Sequence, residues 1–265
     1  IGCRIIDSPR ERMIAILTNA MVPCNGRFPT LFTMITLFFL AGVHGSVTGS
    51  ILSALILTGV ILLGVAATLG ASWLLSHTLL KGVPSSFTLE LPPYRRPQIG
   101  KVVVRSIFDR TLFVLGRAVA IAAPAGLIIW ILANINVGGQ SILLYLTSFF
   151  DPFGRLMGLD GVILVAFILG FPANEIVIPI ILMAYLQTGH LVEMNDSSAL
   201  LQLLVSQGWT WKTAVSMLIF CLFHWPCSTT CLTIRKETGN WRWTAVAFLM
   251  PTLLGIGLCI AVTAV

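Results

Sequence analysis

FPTLFTMITLFFLAGVHGSVTGSILSALILTGVILLGVAATLGASWLLSHTLL, residues 28–80, contains no Asp, Glu, Lys or Arg. A helix that crosses a bilayer needs about 20 apolar residues, so this stretch is long enough for two. Glycine, serine and threonine cluster near Gly42–Gly49 and place the turn there, giving an expected hairpin of two spans, about Phe28–Gly42 and Gly49–Leu79. The pattern recurs along the chain. Thr213–Ile234 and Trp243–Val265 are also free of charge, and Gly161–Val192 carries only Glu175. A removable leader peptide does not repeat in this way.

Composition supports the same reading. Hydrophobic residues make up 57% of the chain and charged residues 10%, against about 25% charged in soluble domains. Mean hydropathy is +0.94. There is too little charge to coat a soluble domain, so interior and exterior are both apolar, as lipid requires. The expected fold is all-α: a polytopic α-helical membrane protein.

The net charge is +6, and its distribution argues for topology rather than nucleic-acid binding. The basic residues form three groups: Arg4, Arg10 and Arg12; Arg95, Arg96, Lys101, Arg105 and Arg110; and Arg235, Lys236 and Arg242. Short loops rich in Lys and Arg stay cytoplasmic. Ala41–Thr48 has no such residue and Asn134–Asp160 only Arg155.

Three regions follow. Residues 1–80 form a lead-in, ended by Pro23, plus the transmembrane hairpin. Residues 81–110 form a cytoplasmic connector in which Pro92, Pro93 and Pro97 exclude a helix interior. Residues 111–265 form a transmembrane domain with a span at about Thr111–Leu132, an apolar segment 141–150 too short to cross, an interrupted segment 161–188, an amphipathic stretch 190–210, a Pro226-interrupted segment 211–234 and a last span at Trp243–Val265. The basic groups at 95–110 and 235–242 belong on one side, yet three segments long enough to cross lie between them. One of them therefore folds back or pairs with 141–150, and 161–188 is the first candidate. Arg117 lies near the cytoplasmic end of its span and snorkels.

Two Pro-Cys pairs sit in apolar surroundings, Pro23-Cys24 and Pro226-Cys227, the second preceded by His224 and followed by Cys231. Proline breaks a helix and frees a carbonyl about one turn earlier. A thiol beside freed carbonyls suits a borderline-soft divalent ion. The plainer reading is a proline kink with cysteine as a small hydrophobe. His224, Cys227 and Cys231 share a helical face only if the helix runs on through Pro226. Glu175, in Phe171-Pro172-Ala173-Asn174-Glu175, is an ionisable group inside an apolar segment, a costly placement that usually marks an ion path; its plainer role is an ion pair with Arg117. Asn174 adds a neutral oxygen. His44, His77 and His190 fit ordinary hydrogen-bonding roles. The candidate metal ligands are Cys24, Asn174, Glu175, His224, Cys227 and Cys231. No C-x-x-C, H-E-x-x-H, G-x-S-x-G or phosphate-loop motif occurs, so no enzymatic activity is expected of this chain.

Arg10-Glu11-Arg12 followed by Pro23-Cys24-Asn25-Gly26-Arg27-Phe28-Pro29 looks like the start of the C-terminal membrane region of the bacterial ferrous-iron transporter family FeoB. Glu90-Leu91-Pro92-Pro93-Tyr94-Arg95 resembles its connector before the second gate half. Pro172-Ala173-Asn174-Glu175-Ile176-Val177 matches its gate motif as an Asn-Glu variant of Lys-Glu, and Trp225-Pro226-Cys227 resembles Phe-Pro-Cys. Arg235-Lys236-Glu237-Thr238-Gly239-Asn240-Trp241-Arg242-Trp243 is close to Lys-Arg-Glu-Thr-Gly-Ser-Trp-Lys-Trp.

The resemblance implies discontinuous helices, gate-type repeats and transport of Fe(II) across the bacterial inner membrane. It implies partnership with a GTP- and Mg-binding G domain or small Feo accessory proteins, and is compatible with a homo-oligomer. Neither a G domain nor the family's Gly-Cys-x-Val-Pro motif occurs here, and the chain starts at Ile1, so the expectation is a fragment or one part of a split system. In the expected mechanism Glu175 supplies charge, Cys24 and Cys227 soft ligands, and Asn174 and freed carbonyls the rest of the shell, with loop 90–110 contacting the G domain. The alternatives are a gate-type transporter of nucleosides or another solute, and a non-transporting metal-sensing or anchoring module.

Overall fold

The computed structural model describes residues 2–40, 47–80, 98–194 and 196–264. The chain is an all-α membrane protein. Its helices are α1 (Pro9–Thr18), α2 (Phe28–Met34, continuing as a π-helical turn over Ile35–Phe39), α3 (Val47–His77), α4 (Ile99–Arg105, followed by a π-helical stretch Ser106–Leu112), α5 (Phe113–Asn134), α6 (Ile142–Leu156), α7 (Gly161–Leu169), α8 (Val177–Leu186), α9 (Ser197–Ser206), α10 (Trp211–Phe223), α11 (Ser228–Thr238) and α12 (Trp241–Ala264). A two-residue hairpin, β1 (Asn136–Val137) with β2 (Gln140–Ser141), joins α5 to α6. Gly138 and Gly139 take the positive φ values its turn needs.

Among the described residues, three segments are long and apolar enough to cross a bilayer: Val47–His77, Trp211–Thr238 and Trp241–Ala264. Their outer faces are apolar as well as their inner ones. Leu55, Leu62, Leu69 and Trp73 of α3, and Leu249, Leu253 and Ile260 of α12, are exposed. A face of this kind has no place in water and is ordinary in lipid.

The expected hairpin needs correction in its first arm. α2 with its π-helical turn ends at Phe39, about 18 Å from Phe28 at 1.5 Å per residue, too short to cross. The missing half is α1, expected as part of a lead-in. α1 packs antiparallel along α3: the Arg10 side chain donates to the Ser76 carbonyl at 3.1 Å and to the Leu80 carbonyl, and Ser72 Oγ meets Thr18 Oγ1 at 3.4 Å. Its apolar residues Ile14, Ile16 and Leu17 form a cluster with Leu75, Ile234 and Ala247. α1 and α2 are thus two halves of one segment, interrupted between Asn19 and Arg27, and Pro23 accounts for the interruption because it has no N–H to give. The turn near Gly42–Gly49 has residues 41–46 outside the described residues, as do His44 and the 81–97 part of the connector with its prolines.

The interrupted segment 161–188 folds back, as expected. α7 and α8 are nine and ten residues long, about half a bilayer each. Their open ends are tied: Tyr185 Oη donates to Asp160 Oδ2, and Trp209 Nε1 donates to Tyr185 Oη at 2.7 Å. Asp160 also caps α7 through Ile163 N at 2.7 Å. The end of α5 joins the group, with Asn134 Nδ2 donating to the Gly189 carbonyl at 2.7 Å. α6 is bent from α7 by 110° and is amphipathic, with Tyr145, Phe149, Phe153 and Leu156 exposed. So α7 and α8 form a hairpin that enters and leaves from one end of the bundle, with Phe171–Glu175 at its tip.

The first and third basic groups gather at the opposite end. Arg4 pairs with Glu237 at 2.8 Å, Arg10 holds the end of α3, and the Arg235 guanidinium stacks 4.1 Å over the Trp241 ring. Residues 1–80 and 111–265 are interlocked rather than separate: α1 packs on α12, and α2 on α10.

Close approach of α3 to the first break requires a glycine. A Cβ on Gly64 would lie 2.8 Å from the Met21 carbonyl oxygen, 3.3 Å from Leu222 and 3.4 Å from Pro23. One on Gly59 of the same helix would meet nothing within 4 Å. Gly64→Val is expected to destabilise by about 1–3 kcal/mol, the usual cost of overpacking, and Gly59→Val by much less. Thermal unfolding of the two variants in detergent checks this.

Candidate functional site

Three interruptions meet inside the bundle: Val22–Cys24 between α1 and α2, Phe171–Ala173 at the hairpin tip, and His224–Cys227 between α10 and α11. The last two are joined directly, Ser228 N donating to the Phe171 carbonyl at 3.0 Å.

Arg27 holds the first interruption to the third. It is 2% exposed. Its Nη1 donates to the carbonyls of Ala20 at 3.1 Å and Leu222 at 2.8 Å, and its Nη2 to those of His224 at 2.9 Å and Trp225 at 3.1 Å. The reason lies in the sequence of the third break. Pro226 cannot donate to the carbonyl four residues back, which is that of Leu222. α10 therefore ends with unpaired carbonyls and the negative end of its dipole, and a planar guanidinium satisfies both. The expectation that freed carbonyls complete an ion shell is corrected here: those of Leu222, His224 and Trp225 are occupied by Arg27. The sequence argument did not single out Arg27; a lone arginine between Gly26 and a long charge-free stretch was its only signal.

Asn174, 5% exposed, and His224, fully buried, face each other. His224 Nδ1 lies 2.8 Å from the Cys221 carbonyl and 3.1 Å from that of Phe220. Both partners are acceptors, so Nδ1 carries the proton and Nε2 presents a lone pair. Nε2 lies 3.4 Å from Asn174 Oδ1, and Asn174 Nδ2 donates to Cys24 Sγ at 3.8 Å. A half-turn of the amide would instead pair an N–H with Nε2.

Cys227 is the N-terminal cap residue of α11, and its Sγ lies 3.2 Å from both Thr229 Oγ1 and Thr230 Oγ1. Cys231 is directed elsewhere. Its buried thiol donates to the Pro226 carbonyl at 3.4 Å. The helix does not run on through Pro226, because α10 stops at Phe223 and α11 starts at Ser228, so His224, Cys227 and Cys231 do not share a continuous face.

Glu175 follows Asn174 in the same 3-10 turn but is exposed, where Asn174 is buried. It lines a cavity of about 300 Å³ together with Thr30, Thr33 and Glu193. The tip approaches the first interruption closely: a Cβ on Gly26 would lie 2.7 Å from Glu175 Oε2. The side chain of Arg117, the alternative partner of Glu175, is outside the described residues.

The six candidate ligands therefore divide. Cys24, Asn174 and His224 form one connected group, Cys227 sits with its threonines at the head of α11, Glu175 faces the cavity, and Cys231 is tied to backbone. Among the described residues, no group of three His, Cys, Asp or Glu side chains is placed to hold a metal ion.

The Gate family model, described as "Nucleoside recognition", matches residues 115–241, and the model for the "Ferrous iron transport protein B C terminus" matches residues 57–109. The Fe(2+) transporter FeoB of Staphylococcus aureus (strain MSSA476) is 28% identical over 262 residues, covering 95% of this chain and 36% of that protein. The chain is similar to the C-terminal membrane region of FeoB. FeoB of Leptospira interrogans (serovar Lai, strain 56601) is 26% identical over 279 residues, and FeoB of Leptospira biflexa is 25% identical over 277, each with 39% of its length covered. The chain thus spans rather more than a third of the length of the curated relatives it matches. No solved structure matches it.

The guanidinium clamp has a measurable consequence. Arg27→Met removes the guanidinium donor from the Ala20, Leu222, His224 and Trp225 carbonyls, at about 1–3 kcal/mol for each left unpaired, offset by removal of a buried charge. A net loss of about 3 kcal/mol is expected in thermal or denaturant unfolding. Arg27→Lys is expected to recover only part of it, because one ammonium cannot span four carbonyls.

Proposed function

We propose that this chain forms the membrane path for ferrous iron in a FeoB-type transporter of the bacterial inner membrane. The observation that carries this reading is the meeting of three helix interruptions inside an apolar bundle. Together they supply two thiols, an imidazole, an amide and, beside them, a carboxylate. Irregular backbone within a membrane is tolerated where it is packed in protein or lines a watery cavity, and broken helices commonly build ion sites there.

The end that carries Arg4, Arg10 and Arg235 faces the cytoplasm in this reading, by the distribution of basic residues. The end tied by Asn134, Asp160, Tyr185 and Trp209 then faces outward. The hairpin α7–α8 enters from outside and returns. α5 and the α10–α11 segment are the two crossings between the basic groups at 95–110 and 235–242, and the parity problem closes.

Iron enters past Glu175, whose charge offsets part of the cost of shedding water. Cys24 and Cys227 then offer soft donors that Fe(II) accepts and Mg(II) does not. Asn174 and His224 hold the tip of the hairpin against the third interruption and orient the site. The chain performs no nucleotide chemistry of its own. A G domain belonging to the full transporter binds GTP and Mg(II) and acts on the cytoplasmic loops, with small accessory proteins as further partners.

One observation favours a second solute: the Gate match carries the description "Nucleoside recognition", and Trp225 and Phe248 stack with centroids 5.6 Å apart. Inhibition of iron uptake by added nucleosides would favour that solute.

The test is anaerobic Fe(II) uptake into cells without other iron importers, using the complete reading frame that contains this chain. Cys227→Ser and Glu175→Gln, at normal protein levels, are each expected to lower uptake by at least about tenfold, equivalent to some 1.4 kcal/mol. Full activity in both variants removes the site. Absence of uptake by well-inserted wild type removes the transport reading.

A further inference from the structure

The cavity beside Glu175 holds more than that carboxylate needs. It occupies about 300 Å³ between α2, α8, the loop that follows α8, and α9. Two carboxylates line it, Glu175 from the hairpin tip and Glu193 from the loop. Neither has a hydrogen-bond or ion-pair partner among the described residues. Thr30, Thr33 and Thr36 add hydroxyls from one face of α2, at a spacing of three residues. Thr36 Oγ1 is spent on the Phe32 and Thr33 carbonyls, at 2.9 and 3.0 Å. Thr30 is different. It is 1% exposed, it lines the cavity, and its Oγ1 has no hydrogen-bond partner. Buried hydroxyls are nearly always paired, so an unpaired one in the wall of a cavity that also holds two carboxylates points to an occupant that supplies the partner.

Two unpaired carboxylates and the threonine hydroxyls, with the Met194 thioether the one sulfur and no imidazole among the lining residues, make a mainly oxygen site. Its volume suits an ion that keeps its water: six waters at ~30 Å³ each take up about 180 Å³. We propose that this cavity is a waiting site for a hydrated divalent cation, upstream of the thiol-bearing interruptions. Glu193 is its outer charge, Glu175 the charge shared with the interruptions, and Thr30 the hydrogen-bond partner of a metal-bound water. The proposal rests on the transport reading for its place in a path, but not for the binding itself.

The two are separated by measuring binding and uptake on the same variants. Mn(II) binding to the full transporter in lipid nanodiscs, followed by electron paramagnetic resonance, reads the site without transport. Glu193→Gln is expected to weaken Mn(II) binding about five- to tenfold, the effect of removing one charge from a partly solvated site, and Thr30→Val about two- to threefold. Mg(II), which keeps several of its waters when bound, is expected to displace Mn(II) at millimolar concentration. Cys227→Ser is expected to leave Mn(II) binding unchanged while uptake falls. In Fe(II) uptake, Glu193→Gln raises KM by a similar factor and leaves kcat near wild type.

Unchanged Mn(II) affinity in Glu193→Gln overturns the proposal. So does loss of Mn(II) binding in Cys227→Ser, which would mean one site at the interruptions. Mn(II) binding that depends on Glu193, in a protein that carries no iron, supports the waiting site and removes the transport reading instead.

Discussion

Every interrupted segment in this bundle creates backbone groups with no partner in lipid, and the Arg27 guanidinium meets the largest such deficit. Pro226 ends α10 with its carbonyls open, and four carbonyls converge on one buried cation. A charge in this position would be very costly alone. Here it is neutralised by carbonyl dipoles and by the negative end of α10, so the cation and the broken helix each make the other tolerable. The clamp also fixes geometry. It locks the break after Pro23 to the break around Pro226, so Cys24 and Cys227, about two hundred residues apart in sequence, belong to one structure.

The hairpin α7–α8 depends on that junction at its tip and on a separate set of bonds at its base. Two half-helices of nine and ten residues are not stable on their own. At the base, Tyr185 links Asp160 to Trp209. At the tip, the Phe171 carbonyl takes the Ser228 N–H, and the Asn174 amide bridges His224 and Cys24. The tip thus presents different faces to its two sides: Asn174 into protein, Glu175 into the cavity. That division separates holding the site from charging it, although the two residues are adjacent.

The donors differ between the two places: the cavity beside Glu175 offers carboxylates and hydroxyls, while the interruptions offer the thiols of Cys24 and Cys227. A path that met a cation first with oxygen and then with sulfur would admit many divalent ions and retain few, since hard ions gain nothing at the second stage.

Much of this was legible in the chain itself. Charge-free stretches identified a membrane protein, because lipid leaves no alternative to apolar surface. Proline positions located the interruptions, because a missing N–H is a local fact. The run from Arg235 to Trp243 pointed to the family. What tertiary structure alone decided is everything that depends on one break meeting another. It placed α1 as half of a crossing, where composition had suggested a lead-in. It gave Arg27 its role, assigned the freed carbonyls to that arginine instead of to an ion, turned Cys231 onto the Pro226 carbonyl, and put Glu175 and Asn174 on opposite sides of the tip. Periodicity and proline chemistry act within a turn or two of helix. The hydrogen bonds that join the first interruption to the other two link residues 150 to 198 positions apart, and no local rule of sequence carries that information.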